Sequence, residues 1–228
     1  MKNYSRPDWS PEKSEVTTRP NLIYPNGILI FYDGFESPII KWATGGIGTE
    51  WVNLYTLYPN NGSGHVLLST GGTANNSAFI KRTIGLPQTK KMGFQFAFSP
   101  IQNNSSIIEV MIEWFSGTVK TTGAIRVYAI NNLIEYYNSD GAWTTLSTTG
   151  PAFDANAFKY FVEKMIVDFS TGYYKSFNVS DKEYSLSSLQ MRSVASGASE
   201  KVVLTITAIT TSAASTAMAI DDVAATEE

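Results

Sequence analysis

Two glutamates on one predicted strand are the residues of this chain whose types and spacing come closest to catalytic chemistry. Glu109 and Glu113 are four positions apart in SIIEVMIEWF, so their side chains point to the same face of a strand. Paired carboxyl groups are what glycoside hydrolysis requires. However, four strand residues separate the α-carbons by roughly 13 Å, whereas a retaining pair needs its carboxyl groups about 5 Å apart. An ordinary amphipathic strand whose glutamates face solvent would show the same sequence pattern.

The composition excludes several other kinds of active site. There is no cysteine, which rules out disulfides, thiolate zinc sites and a cysteine nucleophile. His65 is the single histidine, so neither a histidine-based zinc site nor a Ser-His-Asp triad is indicated. The net charge is −3 with no basic block, which argues against nucleic acid as a partner. No stretch reaches the ~18 apolar residues of a membrane helix, so no membrane partner is expected.

Alternation of large apolar residues with small or polar ones predicts an all-β fold. Every second residue from Met92 to Phe98 is large and apolar, and SIIEVMIEWF, GAIRVYAI and KVVLTITAITT alternate in the same way. About a dozen strands separated by short turns, without helices between them, argue two packed antiparallel sheets. The best helical candidate is one or two turns around residues 185–194. We predict a single jelly-roll β-sandwich over residues 28–228.

Residues 1–27 differ from the rest, because Pro7, Pro11, Pro20 and Pro25 fall among charged residues there. Proline fixes φ and removes a backbone donor, so this segment is predicted to be an extended arm. About 25 extended residues span up to roughly 80 Å, which is enough to reach a neighbouring subunit. The apolar side chains that would anchor the arm on a partner are Trp9, Leu22, Ile23 and Tyr24. The alternative is a tail that contacts nothing.

Two acidic corners carry a resemblance to known domains. Asp33-Gly-Phe-Glu-Ser, followed by Trp42, resembles the opening of jelly-roll carbohydrate-binding modules, and Ala219-Ile-Asp-Asp-Val resembles their closing strand. The stretch from Asp168 to Leu186, DFSTGYYKSFNVSDKEYSL, is similar to a hairpin of laminin-G-like and concanavalin A-like domains. The resemblance implies a concanavalin A-like jelly roll in which the first and last strands are neighbours.

In several of those modules the corner Glu and a closing Asp bind a structural calcium ion. Carried over, the resemblance implies Glu36, Asp221 and Asp222 as candidate ligands, with Asp33 less well matched. Calcium binds six to eight oxygen ligands, so carboxylates from two strands distant in sequence could bind one ion and link the two ends of the fold. The alternative is that these carboxylates cap turns or face solvent.

Glu109-Val-Met-Ile-Glu113 also resembles the Glu-x-Asp-x-Glu strand of family 16 glycoside hydrolases. That resemblance would make Glu109 the nucleophile and Glu113 the acid/base. Met111 stands where the family has an Asp that tunes the two glutamates, and Met cannot hold a proton or accept such a hydrogen bond. We therefore expect no enzyme, and a degenerate family 16-like hydrolase is a less favoured alternative.

Aromatic side chains are the candidates for glycan binding. Trp51 and Tyr55 fall on one face of a predicted strand with Asn53 between them, and Trp143 lies beside a turn. Exposed rings stack on the C–H faces of sugars while neighbouring polar groups fix their orientation. The alternative is that these rings belong to the core, as most aromatic residues of a sandwich do.

Jelly rolls of this kind also resemble bacteriophage virion proteins, both capsid decoration and fibre-associated ones. The arm, and an N-terminus without the apolar segment of a signal peptide, favour that interpretation. We predict a non-enzymatic structural protein on the virion surface, whose arm mediates assembly with virion proteins or with further copies of itself as a homo-oligomer. The alternative is a secreted, extracellular glycan-binding module.

Overall fold

Two antiparallel sheets packed face to face form the computed structural model of this protein, which describes residues 27–102, 106–129, 131–151, 153 and 159–228. These residues contain strands and turns but no helix, which confirms the all-β prediction. The arm anchors Trp9, Leu22, Ile23 and Tyr24 lie outside the described residues. Among the residues described, none belongs to a helix long and apolar enough to span a membrane.

The first sheet has eight strands, and the last strand of the chain lies in its middle. In spatial order its strands are β13 (Lys182–Ser185), β12 (Tyr173–Val179), β11 (Phe161–Asp168), β6 (Lys91–Gln102), β16 (Ala217–Glu227), β4 (His65–Ser69) and β3 (Trp51–Tyr55). The remaining strand, β1 (Ile28–Asp33), also pairs with β16.

The second sheet also has eight strands. In spatial order they are β10 (Trp143–Ser147), β9 (Ile134–Tyr137), β8 (Val119–Tyr128), β7 (Ser106–Phe115), β15 (Lys201–Thr210), β5 (Ser77–Ile84) and β2 (Ala43–Ile47). The remaining strand, β14 (Arg192–Ala195), pairs with β8. Residues 185–194, the best helical candidate of the sequence, therefore form the end of β13, turns and most of β14.

The core lies between the sheets, because apolar residues recur at every second position of the long strands. Phe94, Phe96 and Phe98 of β6 are buried, with successive ring centroids 6.1 and 6.0 Å apart. Their neighbours in sequence, including Gln95 and Ala97, point to the outer face of the first sheet. The alternation predicted from the sequence is therefore confirmed, and it decides which side chains are available for function.

Glu163 breaks this alternation. It lies on β11 between the core residues Phe161 and Met165, and its side chain is 0% exposed. Neither carboxyl oxygen has a hydrogen-bond partner among the described residues. Burial raises the pKa of Glu163 well above its usual value, because an apolar environment disfavours the charged form.

Candidate functional site

The last strand brings the two acidic corners together. One edge of β16 pairs with β6, while its other edge pairs with β4 up to Ile220 and with β1 from Val223. Asp221 and Asp222 lie between these two stretches, where β16 bulges and Asp222 has a left-handed φ of 49°. Asp33 lies directly opposite Val223. The first and last strands are thus neighbours, as the resemblance implied.

Asp33 fixes the shape of the Gly-Phe-Glu corner. Its Oδ1 accepts a hydrogen bond from the backbone N–H of Phe35 at 2.9 Å, and its Oδ2 accepts one from Trp42 Nε1 at 3.0 Å. The Arg82 guanidinium lies 3.7 Å from the same Oδ2 and 3.9 Å from the ring centroid of Phe31. The Asp and Trp of this motif are therefore a structural pair, a role that the sequence analysis did not assign to them.

Asp221 and Asp222 bind the turn that precedes β4 and contains Asn60 and Asn61. Oδ2 of Asp221 accepts the backbone N–H groups of Asn60 and Asn61 at 2.9 and 3.1 Å, and Oδ2 of Asp222 accepts the side-chain amides of both. Tyr32 donates its hydroxyl to Oδ1 of Asp222. Burial, and then the neighbouring charge of Asp222, raise the pKa of Asp221 to about 8. We call these five residues the corner network.

Glu36 holds the other end of the same turn. Both of its carboxylate oxygens lie 3.0 Å from the backbone N–H of Ser63, whose hydroxyl also donates to Glu36. Gly64 follows, and a Cβ at that position would lie 2.7 Å from the carbonyl oxygen of Phe35. Only glycine fits there, so the turn packs directly against the Gly-Phe-Glu corner.

The carboxylates proposed as calcium ligands therefore accept hydrogen bonds from N–H and O–H groups. Amide protons directed at Asp221 and Asp222 occupy positions that a calcium ion with six to eight oxygen ligands would need. Across the described ranges, no three His, Asp or Glu side chains group closely enough to hold a metal. As placed, Glu36, Asp221 and Asp222 do not complete a calcium site, and calcium binding stays a prediction.

Trp51 and Tyr55 form an aromatic platform at the edge of the first sheet. On β3, Val52 and Leu54 pack against the core, so Trp51, Asn53 and Tyr55 face outwards. Trp51 is 48% exposed and Tyr55 is 38% exposed. When the Asn53 amide is oriented so that its nitrogen donates to the carbonyl oxygen of Val52, its oxygen accepts a 2.8 Å hydrogen bond from Trp51 Nε1. The structure thus brings together two of the three aromatic residues predicted to bind glycan.

His65 lies beside the platform, directly opposite Tyr55 on the neighbouring strand. Its ring is 0% exposed, with the ring centroids of Tyr55 and Tyr160 at 5.8 and 6.4 Å. Neither ring nitrogen has a hydrogen-bond partner among the described residues. Burial lowers the pKa of His65 to about 4, so the imidazole is neutral at pH 7. This placement could not be predicted from the sequence, because a single histidine forms no spacing pattern with other catalytic or metal-binding residues.

Tyr160 connects His65 to the corner network. Its hydroxyl donates to the carbonyl oxygen of Tyr58 at 3.3 Å. Burial, and then the charges of Asp221 and Asp222, raise the pKa of Tyr160 above its usual value. The outer face of the first sheet therefore carries neutral hydrogen-bonding groups next to exposed rings.

Trp143 lies elsewhere, on the outer face of the second sheet. The guanidinium of Arg126 lies 3.9 Å from its ring centroid, and the ring of Tyr137 lies 5.3 Å away. One ring face of Trp143 is thus occupied by a cation. The structure does not bring Trp143 together with Trp51 and Tyr55.

Glu109 and Glu113 also lie on the outer face of the second sheet, and each has its own cation. Arg126 Nε lies 2.7 Å from Glu109 Oε2, and Lys120 Nζ lies 2.9 Å from Glu113 Oε1. Both cations belong to the adjacent strand β8, so these contacts are cross-strand ion pairs. Each of the two carboxylates therefore has its own ion-pair partner on the neighbouring strand.

The sequence matches no known protein family and no curated protein. Solved structures do resemble the fold. An endo-β-1,4-glucuronan lyase from the fungus Trichoderma reesei is 10% identical, with 88% of this chain and 96% of that chain covered at a TM-score of 0.58. The cellulose-induced protein Cip1 is 14% identical, with 87% of this chain and 97% of that chain covered at a TM-score of 0.55.

A Bacillus subtilis protein of unknown function with a galectin-like fold is 11% identical, with 88% of this chain and 96% of that chain covered at a TM-score of 0.55. These likenesses concern the fold alone. The chain is a jelly-roll β-sandwich, and a fold shared by proteins of different function leaves the function to its own side chains.

Proposed function

We propose that this protein binds a glycan, without cleaving it, on the outer face of the first sheet. The observation that carries the proposal is the aromatic platform, because Trp51 and Tyr55 expose 48% and 38% of their surfaces on one side of one strand. Large aromatic rings are normally buried, and exposed rings on one face of a strand are typical of surfaces that stack on sugar rings.

The polar groups around the platform support the same proposal. Asn53 lies between the two rings, and His65 and Tyr160 follow behind Tyr55. Neutral amide and phenol groups exchange hydrogen bonds with sugar hydroxyls, and such groups fix the orientation of a ligand over an apolar surface. The fully buried His65 ring packs behind Tyr55 and supports the platform from below.

Binding without cleavage is proposed because the two glutamates considered as a catalytic pair are absent from this face. Glu109 and Glu113 lie on the other sheet and are paired with Arg126 and Lys120. Of the fold relatives, one is a lyase by name and another has no known function, so the fold does not decide between enzyme and binder. Incubation with polysaccharides, followed by assays for reducing ends and unsaturated products, tests this part of the proposal.

Affinity electrophoresis against a panel of soluble polysaccharides tests the binding site itself. Trp51→Ala and Tyr55→Ala should each abolish the retardation of the protein by its ligand. Trp143→Ala is the matched control, because it removes a ring from the opposite sheet. Loss of binding in the control alone would place the site on the second sheet and overturn the proposal.

A second candidate function is assembly on a virion surface, as capsid decoration or in association with fibres. Assembly is favoured by the distribution of exposed apolar side chains along the chain. Of ten exposed large apolar side chains in the described part of the chain, eight fall within residues 28–58. Exposed apolar side chains are what a protein partner would cover, and this stretch follows directly on the predicted arm.

Light scattering of the full chain and of residues 28–228 tests the assembly function. The virion proposal expects a defined oligomer from the full chain and a folded monomer from the truncated one. Two monomers with equal melting temperatures would remove the arm as an assembly device, and the glycan-binding proposal would be unaffected.

A further inference from the structure

A pocket lies on the outer face of the first sheet, several strands away from the platform. It is a pocket of about 220 Å³ between β6, β11, β12 and β13. Gln95 on β6 lies opposite Lys164 on β11, which in turn lies opposite Asn178 on β12. These three side chains form one cross-strand row because they share a face and a register. The row forms the polar floor of the pocket.

The floor contains one hydrogen-bond acceptor that the described residues leave unpaired. Oδ1 of Asn178 is buried, yet it has no hydrogen-bond partner among the described residues. Gln95 lines the same pocket although only 4% of its surface is exposed. A buried amide oxygen without a donor is costly, and a hydroxyl-bearing ligand would supply the missing donor.

The charges around the pocket are already in negative excess without a ligand. Lys164 Nζ lies 2.6 Å from Glu228 Oε1, and both side chains are shielded from solvent. The rim adds the cation Lys182 and the carboxylates Asp181 and Glu183. Two cations therefore face three carboxylates, so a further negative charge would be repelled. The wall also includes Val162, which offers an apolar contact for the C–H groups of a sugar.

From these contacts we infer that the pocket of Gln95, Lys164 and Asn178 is a subsite for a neutral pyranose residue of the glycan. The inference rests on the proposed function, because it extends the same face from the platform to the pocket. A uronate residue does not suit the pocket, since its carboxylate would meet an already compensated lysine.

The separation of the two sites indicates a chain ligand. Tyr55 lies on β3 and Lys164 lies on β11, which is four strand spacings away, or roughly 20 Å across the sheet. Between them Asp221 and Ala97 are buried, and the turn of Asn60 and Asn61 lies over Asp221. One sugar ring cannot contact both sites, whereas an oligosaccharide that passes over this turn contacts both.

The test is titration calorimetry with neutral oligosaccharides of increasing length and with uronate-containing chains. The Gln95→Ala and Asn178→Ala variants should each weaken binding of the longest neutral ligand by about tenfold, as expected for the loss of one hydrogen bond. Short ligands that occupy only the platform should bind the variants as they bind the wild type. The Ser176→Ala variant is the control, because it changes the same face of β12 two residues away. Melting temperatures establish that each variant is folded.

Each outcome decides between the two proposals. Unchanged affinity in both pocket variants, with loss of binding in Trp51→Ala, would overturn the subsite and leave the glycan-binding proposal standing. Tighter binding of uronate chains than of neutral ones would overturn the neutral class of the subsite. No binding of any chain would overturn the proposed function and the subsite together.

Discussion

The hydroxyl of Tyr32 donates a 2.6 Å hydrogen bond to Oδ1 of Asp222, which joins the first strand of the sandwich to the last across 190 sequence positions. The same aspartate holds Asn60 and Asn61, so three distant segments meet at one carboxylate. The acidic residues at the two ends of the fold therefore form one structural unit. That unit positions the turn that leads into β4 and His65.

Removing the hydroxyl of Tyr32 should destabilise the fold. A buried hydrogen bond to a charged group is worth about 1.5–3 kcal/mol, so Tyr32→Phe should lower the free energy of unfolding by that amount in urea titrations. Tyr184→Phe is the matched control, because the buried Tyr184 hydroxyl has no hydrogen-bond partner among the described residues. Equal losses in the two variants would contradict the role given to Tyr32.

The raised pKa of Asp221 should make the fold less stable as the pH rises. An aspartate of the unfolded chain loses its proton near about pH 4, whereas the folded chain keeps the Asp221 proton up to about pH 8. The folded state binds more protons between these values, so its free energy of unfolding falls across this range and levels off above it. Asp221→Asn should make this slope shallower. A slope that stays the same in the variant would show that Asp221 does not carry it.

Replacing Glu163 should stabilise the protein. Each unpaired buried polar group costs about 1–3 kcal/mol, and Met would fill the same space between Phe161 and Met165 without that cost. Because the pKa of Glu163 is raised in the folded state, the wild type is penalised more at high pH than at low pH. The advantage of Glu163→Met should therefore grow from acidic to alkaline buffer. A variant less stable than the wild type at alkaline pH would contradict this account.

Calcium binding at Glu36, Asp221 and Asp222 is tested by thermal melting. A filled site predicts that calcium raises the melting temperature by several degrees and that a chelator reverses the rise, since a ligand bound only to the native state stabilises it. Asp222→Asn should abolish the shift. Identical melting curves with calcium and with chelator would contradict the site and leave the hydrogen bonds of Asn60 and Asn61 as what holds this corner.

The fold was predictable because its signal is local. Alternation in β6 and β7 follows directly from the pleat of a strand, so the residues from Met92 to Phe98 identify their own buried face. The resemblance of the segment from Asp168 to Leu186 to a hairpin also holds, because Asp168 Oδ1 caps Ser170 and β11 pairs with β12 through that turn.

The site was only partly predictable because it depends on pairing between distant strands. Trp51 and Tyr55 share a face by their spacing alone, and that much can be read from the sequence. The row of Gln95, Lys164 and Asn178 depends on strand order and register, which no single segment specifies. Trp143 shows the same limit, since its spacing gives no sign that it lies on the other sheet.

The most direct test of the central claim is the affinity of the wild type and of the Trp51→Ala/Tyr55→Ala double variant for a neutral polysaccharide, measured beside Trp143→Ala. The account predicts that the double variant loses binding while it keeps its melting temperature, and that Trp143→Ala binds as tightly as the wild type. Undiminished binding by a folded double variant would contradict a glycan site on the outer face of the first sheet.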